Sequence, residues 1–327
     1  MIEEVPMGDP AVSPLGVMVP ADPALFYRRD DPNDPRLGER VLRGPGALAG
    51  ALGTRAVALL GCPQDEGVRR NKGRPGAAQA PAEIRRALYR YPVSAAHEGL
   101  RLVDLGDLPP GPTLEATHAA LRAAVRHCLG RVAKVVVLGG GNDISYPDCS
   151  ALALEVPELL AFNIDRHLDL RADAVPNSGT PYRQLLEEGF LRPGGFHEVG
   201  INSFANSQAY LQYAQERGVG VHLLAELRER GAGATVRALA EASGAKALFF
   251  GFDLDVVHAA EAPGVSDPSP MGLTAKEVCE IADVAARDPR TRILEISEVN
   301  PAFDRDGITA KLAANIIMRA LAEPGAT

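Results

Sequence analysis

Apolar residues in this chain gather into short, unbroken runs separated by segments of helical period. The runs are Arg55 to Gly61, Leu100 to Leu105, Lys134 to Leu138, Leu159 to Asp165, Glu198 to Asn202, Val219 to Leu223, Ala247 to Leu254 and Ile293 to Val299. Most are rich in Val, Ile, Leu and Phe and lack polar alternation, the pattern of parallel strands covered on both faces. Between them, Pro81 to Tyr89, Thr113 to Cys128, Asn206 to Glu216, Ala234 to Ala242, Ala275 to Ala286 and Ala310 to Ala322 read as helices. Pro81 suits a first helical position, with Glu83 in the first turn and Arg85 and Arg86 further on. Thr274 and Glu277 form a capping box ahead of their helix. The β-α-β-α order predicts an α/β fold, a three-layer αβα domain with a mostly parallel eight-stranded sheet over residues 55–327. Residues 1–54, rich in Pro, Gly and Asp, are expected to form an irregular arm packed on that domain, with one short helix near Ala47 to Leu52.

Composition narrows the function classes. The chain has 327 residues, with 34 basic against 42 acidic and a net charge of −8, which argues against nucleic acid as a partner. No apolar run reaches the roughly 18 residues of a membrane span. Met1-Ile2-Glu3-Glu4 lacks the basic and apolar regions of a signal peptide, so a cytoplasmic location away from membranes is expected. Cys62, Cys128, Cys149 and Cys279 show no zinc or redox spacing and read as reduced thiols.

Ligands of doubly wound sheets bind outside the carboxyl ends of the strands. Four strand ends here carry polar clusters: Gly139-Gly140-Gly141-Asn142-Asp143, Asp165-Arg166-His167-Leu168-Asp169, Asp253-Leu254-Asp255 and Glu298-Val299-Asn300. If extended geometry persists, Asp165, His167 and Asp169 share one face, and so do Asp253 and Asp255. So many carboxylates cannot ionise side by side without positive charge between them. Two divalent cations would supply it, and oxygen-rich ligation with one nitrogen favours Mn²⁺ or another hard ion. A water held between two such ions becomes acidic enough to serve hydrolysis at a polarised carbon. The glycine run is no phosphate loop, because no Gly-Lys-Ser/Thr follows it.

This set of motifs, in this order, resembles the ureohydrolase family of arginases and agmatinases. Gly67 to Ala77 with Ala80 to Arg85, and Ala262-Pro263-Gly264 with Gly272-Leu273-Thr274, extend the likeness. Within the family, Arg171, Asn177 to Arg183 and Gly200 to Ser207 look most like the formimidoylglutamase subgroup. The resemblance implies two Mn²⁺ per chain, with Asp165 and Asp253 bridging them. Asn142 and Asp169 would complete one site, and His167 and Asp255 the other. Asp169 would also pass a proton to the leaving amine, and Glu298 would hold the cationic amidine. Asn142 stands where most of the family has a metal-binding His. Its carbonyl is a weaker ligand for Mn²⁺ than imidazole, so of the two ions expected the one at Asn142 is the one whose site is open to weak or absent occupancy. Tyr182 falls near where arginases place a second, proton-shuttling His, which argues against arginase itself.

The expected substrate is a small amidine carrying carboxylates, N-formimidoyl-L-glutamate, cut to L-glutamate and formamide as in histidine degradation. Its carboxylates call for cations and hydrogen-bond donors. Arg171, Asn177, Ser178, Thr180, Arg183 and Asn202 are the candidates. Open alternatives are a salt bridge from Arg171 to Asp173, a helical pair of Arg183 with Glu187, and turn roles for Ser178 and Thr180. At the level of function, the alternatives are an agmatine or guanidino-acid amidinohydrolase releasing urea, and a metal-poor, catalytically silent relative. Family likeness also implies a homo-oligomer, trimer or hexamer. His258 is the remaining histidine of interest, three residues past Asp255, while Asp267 and Asp304 read as turn or surface acids.

Overall fold

The computed structural model describes residues 13–51, 53 and 55–323. The parts of the predicted arm at residues 1–12, 52 and 54, including Leu52 at the end of the expected short helix, lie outside them. One sheet organises the molecule. Its strands are β1 (Leu42–Arg43), β2 (Ala56–Gly61), β3 (Arg101–Asp107), β4 (Lys134–Leu138), β5 (Leu159–Ile164), β6 (Phe196–Ile201), β7 (Gly220–Leu223), β8 (Ala247–Asp253) and β9 (Thr291–Ser297). They lie in the order β1-β3-β2-β4-β9-β8-β5-β6-β7, and each pairs parallel to its neighbours. The sheet therefore has nine strands rather than eight. The extra one, β1, is a two-residue edge strand inside the arm, too short to leave a periodic signal.

The two faces of the sheet carry separate apolar cores. Leu160, Phe162 and Ile164 of β5 and Phe250 and Phe252 of β8 pack under helices Ala80–Leu88, Ala232–Ala242, Ala275–Arg287 and Ile308–Leu321. Leu159 and Ala161, with Phe249 and Ile293, pack under helices Leu114–Leu129, Ser145–Glu155 and Pro181–Glu187. Residues two apart thus share a face, and each fully buried Leu or Phe contributes about 1.5–3 kcal/mol. The arm is not wholly irregular: Pro14–Val17, Pro23–Leu25 and Pro45–Gly50 are 3₁₀ turns and Leu37–Arg40 is one α-helical turn. It supplies Leu15, Met18 and Leu48 to one core and Leu25, Phe26 and Leu37 to the other.

The Thr274–Glu277 capping box forms, with Glu277 Oε2 accepting from the Thr274 amide at 2.7 Å. Three helices without an expected counterpart are Glu66–Arg70, Ser145–Glu155 and Leu224–Arg230. Among the described residues, no helix is long and apolar enough to cross a membrane.

Candidate metal centre

Register brings the functional strand ends level. Leu138 of β4 pairs with Ile296 of β9, Ile296 with Phe252 of β8, and Phe252 with Ile164 of β5. The residues just beyond are Asn142, Glu298, Asp253 and Asp165, so four strands deliver their polar residues to one rim. The side chains do not converge by strand alternation, however. β5 ends at Ile164, and the chain then turns tightly: Asp165 Oδ1 accepts the His167 amide at 2.7 Å, and Asp169 adopts a left-handed φ of 47°. β8 repeats the device, with Asp253 Oδ1 accepting the Asp255 amide at 2.9 Å at the start of a 3₁₀ turn. An aspartate that caps its own turn with one oxygen keeps the other for further donors or a ligand; Asp165 Oδ2 accepts the Asn163 side-chain amide at 3.2 Å.

Two sets of donor atoms result, each within 4.8 Å of one another: Asp165, His167 and Asp169, and Asp165, Asp253 and Asp255. Asp165 belongs to both. A third set joins His167, Asp255 and Asp267. His167 Nδ1 faces Asp255 at 3.2 Å and Asp165 at 3.5 Å, while its Nε2 lies 3.3 Å from Asp267. Asp267 is a surface acid as expected, its side chain 63% exposed, yet it does not stand apart from the cluster. It meets His167 Nε2 and is itself held by Arg166 at 2.8 Å. With Nε2–H on Asp267, Nδ1 is the nitrogen left to face the other carboxylates.

The electrostatics show a shortage of positive charge. Burial, then the Asp165 carboxylate, pushes Asp169 well above the ordinary range. Burial and Asp255 do the same to Asp253. Burial lifts Asp255 to about 6 against the pull of His167, and lifts Glu298 to about 8. Burial opposes charge on His167, yet Asp255, Asp165 and Asp267 hold its imidazole well above the usual value. Asp255 Oδ1 and Glu298 Oε2 are buried without a hydrogen-bond partner. Crowded carboxylates, orphaned oxygens and one imidazole fit hard divalent cations such as Mn²⁺.

Asn142 turns its amide nitrogen toward this cluster, donating to Asp169 Oδ2 at 2.7 Å and more weakly to Asp165 Oδ2 at 3.4 Å. Its oxygen accepts from Ser297 Oγ at 2.8 Å and Ser145 Oγ at 3.1 Å. To act as an oxygen ligand, Asn142 must turn over. The two hydroxyls can receive either edge of the amide, since a hydroxyl both donates and accepts.

The cluster opens into a cavity of about 710 Å³, lined by His167, Asp169, Asp253, Asp255, Asp267 and Glu298 together with Lys72, Arg74, Arg171 and Ser178. Of the six expected carboxylate-binding residues, the structure brings Arg171 and Ser178 to the cavity. Asn177, Thr180, Arg183 and Asn202 are not among its lining. Asn177 and Thr180 build the turn before helix Pro181–Glu187: Thr180 Oγ1 accepts the Asn177 amide at 3.0 Å, and Asn177 Oδ1 accepts the Gly179 amide at 2.9 Å. Arg183 pairs with Glu187 at 2.8 Å and lies over the Tyr213 ring at 4.1 Å. Asn202 Oδ1 accepts the Phe204 amide at 3.0 Å, closing the turn after β6. Tyr182 is buried against Phe196 with ring centroids 4.7 Å apart, on the core side of the sheet and away from the cavity. His258 pairs with Glu261 at 3.4 Å and does not line it either. Lys72 and Asp267 were the residues missed. Lys72 lies within the glycine-rich segment Gly67 to Ala77, and Asp267 three residues past Gly264.

Comparison with known proteins places this geometry in a lineage. The arginase family model matches residues 55–322. The formimidoylglutamase of Citrobacter koseri is 36% identical over 307 residues, covering 91% of this chain and 96% of the relative. That of Salmonella paratyphi A is also 36% identical, over 306 residues. Among solved structures, Trypanosoma cruzi formiminoglutamase with Mn²⁺ superposes with a TM-score of 0.80 at 32% identity, covering 88% of this chain and 97% of the other. Bacillus subtilis formimidoylglutamase gives 0.82 at 27% identity, over 90% and 93%.

Proposed function

On the premise that this chain belongs to the arginase family and is a hydrolase of linear amidine C–N bonds, we propose that it cleaves N-formimidoyl-L-glutamate into L-glutamate and formamide with two Mn²⁺ ions per chain. The observation that carries the metal reading is the pair of donor sets sharing Asp165. Asp165, Asp253, Asn142, Asp169, His167 and Asp255 would hold the ions: by family resemblance Asp165 and Asp253 would serve both, Asn142 and Asp169 would complete one site and His167 and Asp255 the other, whereas the donor sets themselves group His167 with Asp169 and Asp253 with Asp255. Bound Mn²⁺ supplies Lewis-acid activation of the attacking water.

The chain's own groups do the rest. The carboxylate of Glu298 is anchored through Oε1 by the Asn142 amide at 2.8 Å, leaving Oε2 free for the planar amidine N–H edge. That contact orients the amidine carbon over the cluster. Asp169 accepts a proton from the water and returns it to the departing nitrogen. The bond broken joins the amidine carbon to the glutamate nitrogen. The water oxygen stays on carbon as the formamide carbonyl, and the proton leaves on the glutamate amine. Arg171, whose guanidinium has no ion pair among the described residues, anchors a carboxylate of the substrate. The assembly expected from family likeness is a trimer or hexamer, which sedimentation would distinguish.

The test is a parallel assay of the Mn²⁺-loaded protein on formimidoylglutamate, agmatine, arginine and guanidinobutyrate, following glutamate, formamide and urea. The proposal expects glutamate and formamide from the first alone. Urea from another substrate would keep the metal chemistry and overturn the substrate.

A further inference from the structure

Five residues other than glycine hold a left-handed backbone among the described residues: Asp30, Lys72, Asp169, Glu298 and Asp306. Aspartate tolerates that conformation; lysine and glutamate do so less readily. Three of the five, Lys72, Asp169 and Glu298, line the cavity into which the metal centre opens. Glu298 and Asp169 already have work there, and Lys72 does not. Its backbone angle of 64° is that of the C′ residue closing helix Glu66–Arg70: the Lys72 amide donates to the Arg69 carbonyl at 3.0 Å and the Gly73 amide to the Val68 carbonyl at 2.9 Å. Glycine or asparagine usually fills that position; here it carries a cation into the cavity lining.

Lys72 and Arg171 line the same cavity. Asn71 Nδ2 donates to Ser178 Oγ at 3.0 Å, joining the Lys72 loop to the turn that follows Arg171. A Cβ at Gly179 would fall 2.6 Å from Arg171 Cδ and 3.2 Å from Asn71 Nδ2, so the glycine leaves room for the arginine stem and the asparagine amide on either side of it. The other cations nearby are committed. Arg166 pairs with Asp267, Arg70 with Glu115, and Arg74 with the carbonyls of Val265 and Ser266. Lys72 and Arg171 show no side-chain partner among the described residues.

We propose that Lys72 is a specificity-determining residue that, with Arg171, forms a two-cation clamp for a substrate bearing two carboxylates. The proposal rests on the reaction named above and assigns its second anchor. Metal and Glu298 hold the amidine end; the clamp selects what is attached to it. A lone arginine would satisfy one carboxylate and leave the second to be desolvated unpaired.

The test uses full-length, Mn²⁺-loaded protein, comparing wild type with Lys72→Met and Lys72→Gly. Turnover of formimidoylglutamate gives KM and kcat; calorimetry gives Kd for L-glutamate and for L-glutamine, which lacks one carboxylate; thermal melting gives stability. Both variants are expected to raise KM and the glutamate Kd about tenfold or more, and to erase the preference for glutamate over glutamine. Lys72→Gly should melt higher than wild type, because it relieves the backbone while removing the charge. A lysine that only caps the helix would leave KM, the glutamate Kd and the preference for glutamate over glutamine unchanged in both variants. If wild type turns over formimidoylglutamate and neither KM nor Kd moves in the variants, the clamp is wrong and the reaction stands. If wild type fails on formimidoylglutamate yet binds glutamate through Lys72, the clamp stands and the substrate is wrong. Absence of both overturns both.

Discussion

Two buried clusters of charge lie toward the carboxyl ends of the strands, and they balance differently. Around Arg85, from helix Ala80–Leu88, every charge has an answer. The guanidinium donates to Asp104 at 2.8 and 3.0 Å, to Asp107 at 2.5 Å and to the Gly106 carbonyl at 2.8 Å, and the Tyr89 hydroxyl closes on Asp104. Burial works against charge on Arg85, but Asp104 and Asp107 outweigh it and raise its pKa. At the rim, Asp165, Asp169, Asp253, Asp255 and Glu298 face a single imidazole. There, carboxylates are pushed up rather than held down, and oxygens are left unpaired. A cluster whose charges cancel internally is scaffold. One whose charges do not cancel requires something from outside the chain.

The largest predicted contrast comes from removing one member of each. Asp253→Ala at the rim should abolish turnover, a loss beyond the roughly 10–100-fold expected for residues that only support a ligand. It should also lose Mn²⁺ while melting no worse than metal-stripped wild type. Arg85→Ala strands the buried Asp104 carboxylate, and the partly exposed Asp107 beside it, and should cost about 3–5 kcal/mol of stability in denaturant titration. Mn²⁺ stoichiometry of the folded fraction should not change. Activity retained in Asp253→Ala, or metal lost in folded Arg85→Ala, would break the distinction.

A smaller effect sharpens it through pH. Asp255 at about 6 and Glu298 at about 8 lie above the roughly 4 of an unfolded carboxylate. The folded chain therefore holds more protons than the unfolded one across that window. Stability of chelator-treated protein should fall as pH rises from about 4 toward 8, and saturating Mn²⁺ should flatten the trend. Melting temperature against pH, with and without Mn²⁺, measures both. The Arg85 cluster has no such sensitivity to metal.

The rim was legible in the sequence because strand ends are local: the apolar run and the acids that follow it are contiguous. The geometry was only partly so. Asp165, His167 and Asp169 do meet, but through a turn that Asp165 caps itself, which an extended reading cannot supply. Helix Ser145–Glu155 escaped because Pro147 sits in its first turn and Ser145, Asp148 and Ser150 are buried beside its apolar residues, leaving no polar face to set a period. Arg183 and Asn202 were plausible donors by composition, yet whether a loop side chain turns inward or closes its own turn depends on partners far away in sequence. The same limit hid Asp267, which reaches His167 across a hundred residues, and Lys72, which only the fold brings to the cavity.

The most direct test of the account is metal content. Wild-type protein stripped with chelator, titrated with Mn²⁺ near neutral pH and measured by elemental analysis, is predicted to take up two ions per chain and to melt higher as it does. The ion dependent on Asn142 should bind the more weakly. A fully folded protein that takes up none would contradict the reading of the rim as a metal centre.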